Sequence, residues 1–416
     1  MIPALVLALT LPHAPTSLAD DRVDAWTEDV LHVVEELERL HPDPFFGVSR
    51  EEFEAAVDAL LGRLDQLDDA TIAAEIARLV ALISRSGRDG HSGVFLHTGF
   101  LPVQLYAFSD GWFVVDADEA QRELVGARLV AIGSVPVDEA CTRLSAYLTH
   151  DNDWNLRMKL GPSLANVALL RAAGMSDGQR VVLRLSVGNE GERDVSLSPA
   201  PFQQGEVMRR FHGTLPPRGG ERWLTGLDRA WRLEVLPEQR ALYVQYNEVT
   251  GVSNGETLAA FAAGLVRTFE EQKLERVIVD VRSNGGGNNT TFGPLIAALQ
   301  TPSIDREGVL YGLVGRATFS AAGNFVTVLQ RDTKALLVGE PTGGAPNQYG
   351  DAQPVELPHH GGALEVRIST RYHQPGGPDD ARLTHEPDLP VPLASADYFA
   401  GRDPVLQAAL EHRGGR

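Results

Sequence analysis

Hydrophobic positions divide the chain into three stretches of different period. Between residues 22 and 84 they recur every three or four positions, and Phe53, Val57, Leu60, Leu61 and Leu64 mark one face of a helix. Ser49-Arg50-Glu51-Glu52 ahead of them forms a capping box, in which a hydroxyl and a carboxylate satisfy the free amides of a helix start. A second helical run is predicted from Ile72 to Ile83. The period then breaks at Ser86-Gly87-Arg88-Asp89-Gly90-His91-Ser92-Gly93, whose glycines predict a loop.

From Val94 to Leu197 the pattern changes to short β-branched and aromatic runs between turns, such as Trp112-Phe113-Val114-Val115, Leu129-Val130-Ala131-Ile132 and Val181-Val182-Leu183-Arg184-Leu185. Residues 199–225 are rich in Pro, Gly and Arg, lack a period and read as a connection. From about residue 231 onward strands and helices alternate. Strands are predicted at Ala241 to Gln245, Arg276 to Val281, Val309 to Val314 and Ala335 to Val338. Helices are predicted through Leu258 to Phe269, opened by a second capping box at Ser253-Asn254-Gly255-Glu256, through Leu295 and Leu299, and from Ala321 to Gln330. Such alternation argues for a parallel sheet. The resulting fold class is α/β: a helical segment over 20–86, a β-rich region over 87–200 and an α/β domain over 201–416.

Composition narrows the classes of function. The chain has 416 residues, 43% of them apolar, which suffices for a real core. With 37 basic against 56 acidic residues its net charge is −19, which excludes nucleic acid as an expected partner. Cys141 is the single cysteine, so neither a disulfide framework nor a cysteine metal cluster is expected. No run of apolar residues is long enough to span a membrane. Residues 1–19 include an apolar run, Ile2 to Pro12, and Ser17-Leu18-Ala19 before Asp20 suits a signal peptidase, although no basic residue precedes the run. Either a signal peptide, with a periplasmic or secreted location, or a tail on a cytoplasmic protein fits this stretch.

Chemistry concentrates in two strand-to-helix loops, where parallel sheets carry their sites. Asp280-Val281-Arg282-Ser283-Asn284-Gly285-Gly286-Gly287-Asn288 puts three consecutive glycines at a strand end. It lacks the lysine of a phosphate loop and the spacing of a dinucleotide fingerprint, so amides turned toward an oxyanion are the better expectation. In Gly315-Arg316-Ala317-Thr318-Phe319-Ser320-Ala321-Ala322-Gly323, Ser320 stands where a helix begins. Composition alone leaves it either an N-cap or a hydroxyl beside the positive end of a helix dipole.

Together these segments resemble the tail-specific (C-terminal processing) serine peptidases. The resemblance runs through Asp280-Val281-Arg282-Ser283-Asn284-Gly285-Gly286-Gly287, Thr318-Phe319-Ser320-Ala321-Ala322 and Gly339-Glu340-Pro341-Thr342-Gly343-Gly344, in that order. Leu40-His41-Pro42-Asp43-Pro44-Phe45, Asp89-Gly90-His91-Ser92 and His385-Glu386-Pro387-Asp388 resemble the branch that includes tricorn-like peptidases and the interphotoreceptor-retinoid-binding-protein-like members. Gly126-Ala127-Arg128-Leu129-Val130-Ala131-Ile132-Gly133 is similar to the ridge of a PDZ-type domain, here reduced. The resemblance covers about residues 40–395 and implies a crotonase- or ClpP-like catalytic domain and a serine peptidase with no cofactor and no metal.

It also assigns roles. Ser320 is the nucleophile, His91 the general base, and the amides of Ala321 and of Gly286 or Gly287 hold the oxyanion. The lysine of the Ser–Lys branch is missing, since its region reads Gly343-Gly344-Ala345-Pro346-Asn347, and Gly90 replaces the serine that precedes the histidine. Asp379, Asp380 and Glu340 are the candidates to orient His91. The expected substrate is a peptide or unfolded polypeptide. Non-catalytic binding of apolar ligands or peptides, as the retinoid-binding relatives imply, and esterase action on the same site stay open. Gly251-Val252-Ser253-Asn254-Gly255 matches a hydrolase elbow, but Ser253 reads better as a helix cap. His359, His360, His373 and His385 show no ligand spacing for a metal.

Overall fold

A five-stranded parallel layer, closed by one antiparallel edge strand, organises the C-terminal half. In this computed structural model, which describes residues 18–188, 191–200, 215–219 and 221–413, the order across the sheet is Leu389–Pro390, Leu336–Gly339, Leu310–Val314, Arg276–Asp280, Ala241–Tyr246 and the antiparallel Trp231–Leu236. Side chains alternate between two cores. Leu242, Val244, Val277 and Val279 face the helices Leu258–Glu271, Gly293–Leu299 and Ala321–Asp332, whereas Tyr243, Ile278, Tyr311 and Leu313 face Val405, Leu406 and Ala409 of Pro404–Glu411. Burial on both faces explains the continuous apolar run of Arg276–Asp280.

The middle region is an antiparallel sheet in the order Val103–Phe108, Gly111–Ala117, Arg128–Ile132, Val181–Ser186, Glu192–Leu197, with helices Val137–Ser145, Asp153–Ser163 and Val167–Ala172 inserted between its strands. At the N-terminus the helices Leu18–Leu40, Arg50–Leu61 and Asp69–Ala81 form. The hydroxyl of Ser49 caps the second of these, accepting from the Glu52 amide at 3.1 Å. Three-stranded pairing then links distant parts: Gly93–Leu96 pairs with Leu364–Ile368, which pairs with Gln353–Val355. Leu364, Val366 and Ile368 share one core with the N-terminal helices and the middle sheet, so chain from beyond residue 350 covers the region just after His91.

The second capping box does not form. Val252–Ser253 and Glu256–Thr257 pair instead as a hairpin around Asn254 (φ 50°) and Gly255 (φ 82°), the left-handed pair that an Asn-Gly turn favours. Thr257 takes the cap of Leu258–Glu271, accepting from the Ala260 amide. Ser253 accepts a hydrogen bond from the Ala230 amide, and Glu256 accepts one from the Trp231 indole. Of the predicted connection, residues 201–214 lie outside the described residues, as does the expected leader through residue 17. Within the described part of the connection, Leu215 and Leu224 pack with Phe108 and Tyr398, between the middle sheet and the C-terminal segment. Among the described residues no helix is long and apolar enough to cross a membrane.

Candidate active site

Three loops from the carboxyl ends of neighbouring parallel strands interlock around Ser320. The Phe319 amide donates to the Asn284 carbonyl at 3.1 Å, and the Gly344 amide donates to the Thr318 carbonyl at 2.9 Å. Thr318 Oγ1 donates to the Val281 carbonyl at 2.8 Å. Gln348 Nε2 reaches back to the Ser320 carbonyl at 3.0 Å. The three motifs that lie apart in sequence are therefore one hydrogen-bonded unit.

Ser320 itself has φ 55° and ψ −129° at the start of Ala321–Asp332. A residue with a Cβ pays strain there, and such strain is stored where surrounding contacts hold it. Its hydroxyl does not cap the helix. It lies 2.8 Å from His91 Nε2, which is 229 positions away in sequence. The imidazole stacks on Phe319, with ring centroids 4.4 Å apart. Burial drives the His91 pKa down to about 4; Asp89 opposes the fall, Lys159 and His373 add to it, and the Tyr349 backbone opposes it. The ring is neutral at pH 7, so one of its two nitrogens is free to accept a proton. Nδ1 is buried without a well-formed hydrogen bond, although the Tyr349 backbone acts on the ring.

The glycine loop approaches the serine closely. At Gly286 (φ 120°) a Cβ would sit 2.6 Å from Ser320 Cβ, and at Gly287 (φ 134°) it would strike the Val249 carbonyl. Glycine is needed at both positions for space as well as for conformation. The Gly286 amide is not available to an oxyanion, because it donates to Asn284 Oδ1 at 2.9 Å. Among the described residues the amides of Ala321 and Gly287 make no hydrogen bond.

None of the three acids read from the sequence faces His91. Glu340 is buried in a forked pair with Arg316 (2.8 Å), which the strand end needs to neutralise a charge inside the fold. Asp380 pairs with Arg382 at 2.7 Å, and Asp379 is exposed. The acid beside the ring is Asp89, two residues before it and fully buried. Its Oδ1 accepts from the amides of His91 (3.2 Å) and Ser92 (2.9 Å) and from Ser369 Oγ (2.7 Å). Its Oδ2 lies 3.3 Å from His41 Nε2, at ion-pair distance but poorly aligned for a hydrogen bond. Burial would raise its pKa, but His41 and Ser92 outweigh that effect and hold it at about 2.

Sequence reading also missed Asp151, Asn155 and Lys159. Asn152 caps Asp153–Ser163, accepting from the Trp154 and Asn155 amides, and that cap directs the helix start at the site. An Asp-Asn-Asp run before a helix signals a cap, but nothing local shows which loop the neighbouring side chains reach. Gly90 is explained by the same helix: a Cβ there would lie 2.6 Å from Asn155 Oδ1 and 3.0 Å from the Phe319 ring.

A cavity of about 600 Å³ opens beside Ser320 and His91. Val94, Phe95, Leu148, Met158, Leu227 and Phe319 give it an apolar wall, and Gly285 lies at the glycine-loop side. Its volume falls in the range of sites for small molecules or side chains. Buried His385, wedged between Thr327 Oγ1 (2.7 Å) and Thr342 Oγ1 (2.8 Å), braces the third loop from behind. His359 and His360 lie elsewhere, paired with Glu28 and Asp29.

No family model matches the chain. Its fold is similar to that of mature CPAF, with a TM-score of 0.64 at 14% identity over 95% of this chain and 97% of that one. It is also similar to mature CPAF complexed with lactacystin, with a TM-score of 0.61 at 15% identity over 92% and 96% of the two chains. A photosystem II D1 C-terminal processing protease aligns over 88% of this chain and 93% of its own at 14% identity, with a TM-score of 0.38. The two CPAF comparisons establish that the whole architecture, and not one domain of it, is shared.

Proposed function

We propose that the chain is a serine peptidase of the tail-specific type, with Ser320 as nucleophile and His91 as general base. The 2.8 Å approach of Ser320 Oγ to His91 Nε2, across the junction of two regions, carries this reading. A helix cap or an apolar-ligand pocket gives no reason to hold a serine at φ 55° with its hydroxyl on a neutral imidazole.

In the reaction, Ser320 Oγ attacks the peptide carbonyl while its proton passes to His91 Nε2. The carbonyl oxygen becomes an oxyanion, for which we assign the amides of Ala321 and Gly287 as donors. Each such donor is worth ~10²–10³ in rate. As the imidazolium forms, the buried negative charge of Asp89 favours it, in place of a carboxylate on Nδ1. His91 then gives the proton to the leaving amine, and the C–N bond breaks to leave an acyl-serine. Water attacks the ester, again through His91, and releases the acid. The cavity at the junction receives a segment of peptide or unfolded polypeptide, and its apolar wall takes side chains.

A fluorophosphonate probe tests the nucleophile. It should label Ser320, and both Ser320→Ala and His91→Ala should lose ~10³-fold or more of the labelling rate while keeping the wild-type melting transition. A folded wild type that never labels ends the proposal. Cleavage of an unfolded protein such as reduced casein separates a peptidase from an esterase, which would label but not cut.

A further inference from the structure

The loop that carries His91 is fastened by a part of the molecule that the reaction scheme does not use. Asp151, fully buried, accepts from the Gly90 amide with Oδ1 at 2.6 Å and from the Ala345 amide with Oδ2 at 3.0 Å. Those amides belong to the two sides of the site. Gly90 precedes His91, and Ala345 follows Gly344, whose Cβ position lies 3.3 Å from the Ser320 amide nitrogen. Lys159, also buried, donates to the Gly90 carbonyl at 2.7 Å and to Thr149 at its carbonyl (2.8 Å) and hydroxyl (3.3 Å). The Gly90 peptide is thus gripped at its N–H by an anion and at its C=O by a cation. Asn152 adds a second bridge by donating to the carbonyls of Thr342 and Gly343, both at 3.1 Å.

We propose that Asp151 and Lys159 are the positioning pair of this site, a carboxylate and an ammonium from the middle region that hold the His91 loop at hydrogen-bonding distance from Ser320. The proposal rests on the peptidase reading above. A typical triad orients its histidine through an acid on the ring, whereas here the backbone beneath the ring is clamped. Only the ionised carboxylate accepts both amides without a proton of its own. Protonation turns one oxygen into a donor that faces an N–H and releases one side of the clamp.

The surroundings define what pH does. Burial raises the Asp151 pKa to about 7, with the amides of Ala345 and Gly90 opposing, Asp89 adding to the rise and Lys159 opposing it. Of the other groups nearby, the Arg88 guanidinium turns to Tyr372 and Asn347, His150 faces the Leu148 carbonyl, and residues 343–345 bring no charge. Lys159 is itself lowered to about 8 by burial, with Asp151 and Asp89 opposing. The carboxylate arm of the clamp therefore closes as pH rises through about 7, well above the value of about 4 at which His91 becomes neutral, while Lys159 keeps N–H donors for the Gly90 carbonyl but loses its charge above about 8.

Fluorophosphonate labelling of Ser320, followed from pH 4 to 9, reads this directly. Wild type should lose labelling on the acid side with a midpoint near 7 rather than near 4. Asp151→Asn should label about 10²-fold more slowly, the scale of an ångström-sized misplacement, with KM for a peptide ester little changed. Its remaining activity should lose the midpoint near 7. Lys159→Met removes a charge that favours the ionised Asp151, so its midpoint should move to higher pH, an effect that mere loss of packing does not produce. A folded Asp151→Asn with the wild-type rate and profile overturns the proposal. So does a wild-type midpoint near 4, which needs no variant. Labelled wild type with either of those results sinks the clamp alone, whereas wild type that never labels sinks the peptidase reading and the clamp with it.

Discussion

The two loops that meet at the site are held by different means. Around Ser320 the holding is done by backbone and uncharged side chains: the main-chain amides of Phe319 and Gly344 bond to neighbouring loops, Thr318 and Gln348 add side-chain donors to main-chain carbonyls, and Gly286 leaves no side chain in the way. Around His91 it is done by side chains from far along the chain, namely His41, Asp151, Lys159 and Ser369. A backbone-held turn is intolerant of volume. A loop held by charges is intolerant of a change in charge, and it answers to pH.

The difference is broken most severely from the serine side. Alanine at Gly286 would place its methyl 2.6 Å from Ser320 Cβ and 3.0 Å from Oγ, against a φ of 120° that alanine resists. Overpacking in a closed interior costs ~1–3 kcal/mol, and here the displaced atom is the nucleophile. Gly286→Ala should therefore label about 10²-fold or more below wild type and melt earlier, as probe kinetics and thermal unfolding would report. Wild-type labelling by this variant would mean that the loop yields, and the account of a rigid serine turn would fall.

On the histidine side the corresponding lesion is in charge. Asp89 is fully buried, and its folded pKa of about 2 lies below the ordinary 3.8. A depressed acid contributes stability that is complete above the unfolded value and is lost as pH falls toward the folded one. The shift corresponds to on the order of 2 kcal/mol. Asp89→Asn should be destabilised by about that amount at pH 7 in urea unfolding, and the gap from wild type should close as pH drops from about 4 toward 2. A gap that stays constant down to pH 2 would show that the Asp89 charge is not what holds the loop.

The same contrast explains what was legible in the sequence. Parallel strands announced themselves as apolar runs because both faces of the sheet are covered, and the glycine loop and Ser320 stood at their ends in motif order. The approach of His91 to Ser320 was reached through resemblance, since nothing in spacing brings residues 91 and 320 together. The orienting acids were misread for a physical reason: Glu340 and Asp380 already neutralise Arg316 and Arg382, and sequence does not show which cation a carboxylate has found. Asp151 and Lys159 carry no local sign at all, because their partners are main-chain groups of Gly90, Thr149 and Ala345. At the hairpin 252–257 the reading erred in choosing a cap over an Asn-Gly turn, where the left-handed preference of that dipeptide decided the outcome.

The smallest expected effect isolates backbone strain from chemistry. Ser320→Ala and Ser320→Gly both delete the hydroxyl and both abolish labelling, so activity cannot separate them. Stability can, because alanine keeps the Cβ that φ 55°, ψ −129° penalises and glycine does not. Glycine should be the more stable of the two by about 1 kcal/mol in urea unfolding, even though it has more chain entropy to lose. His91 has no positive φ, so His91→Gly should gain nothing over His91→Ala and should fall below it through that same entropy. If both pairs behaved alike, the serine turn would carry no strain of its own, and the two loops would differ only in which side chains they recruit.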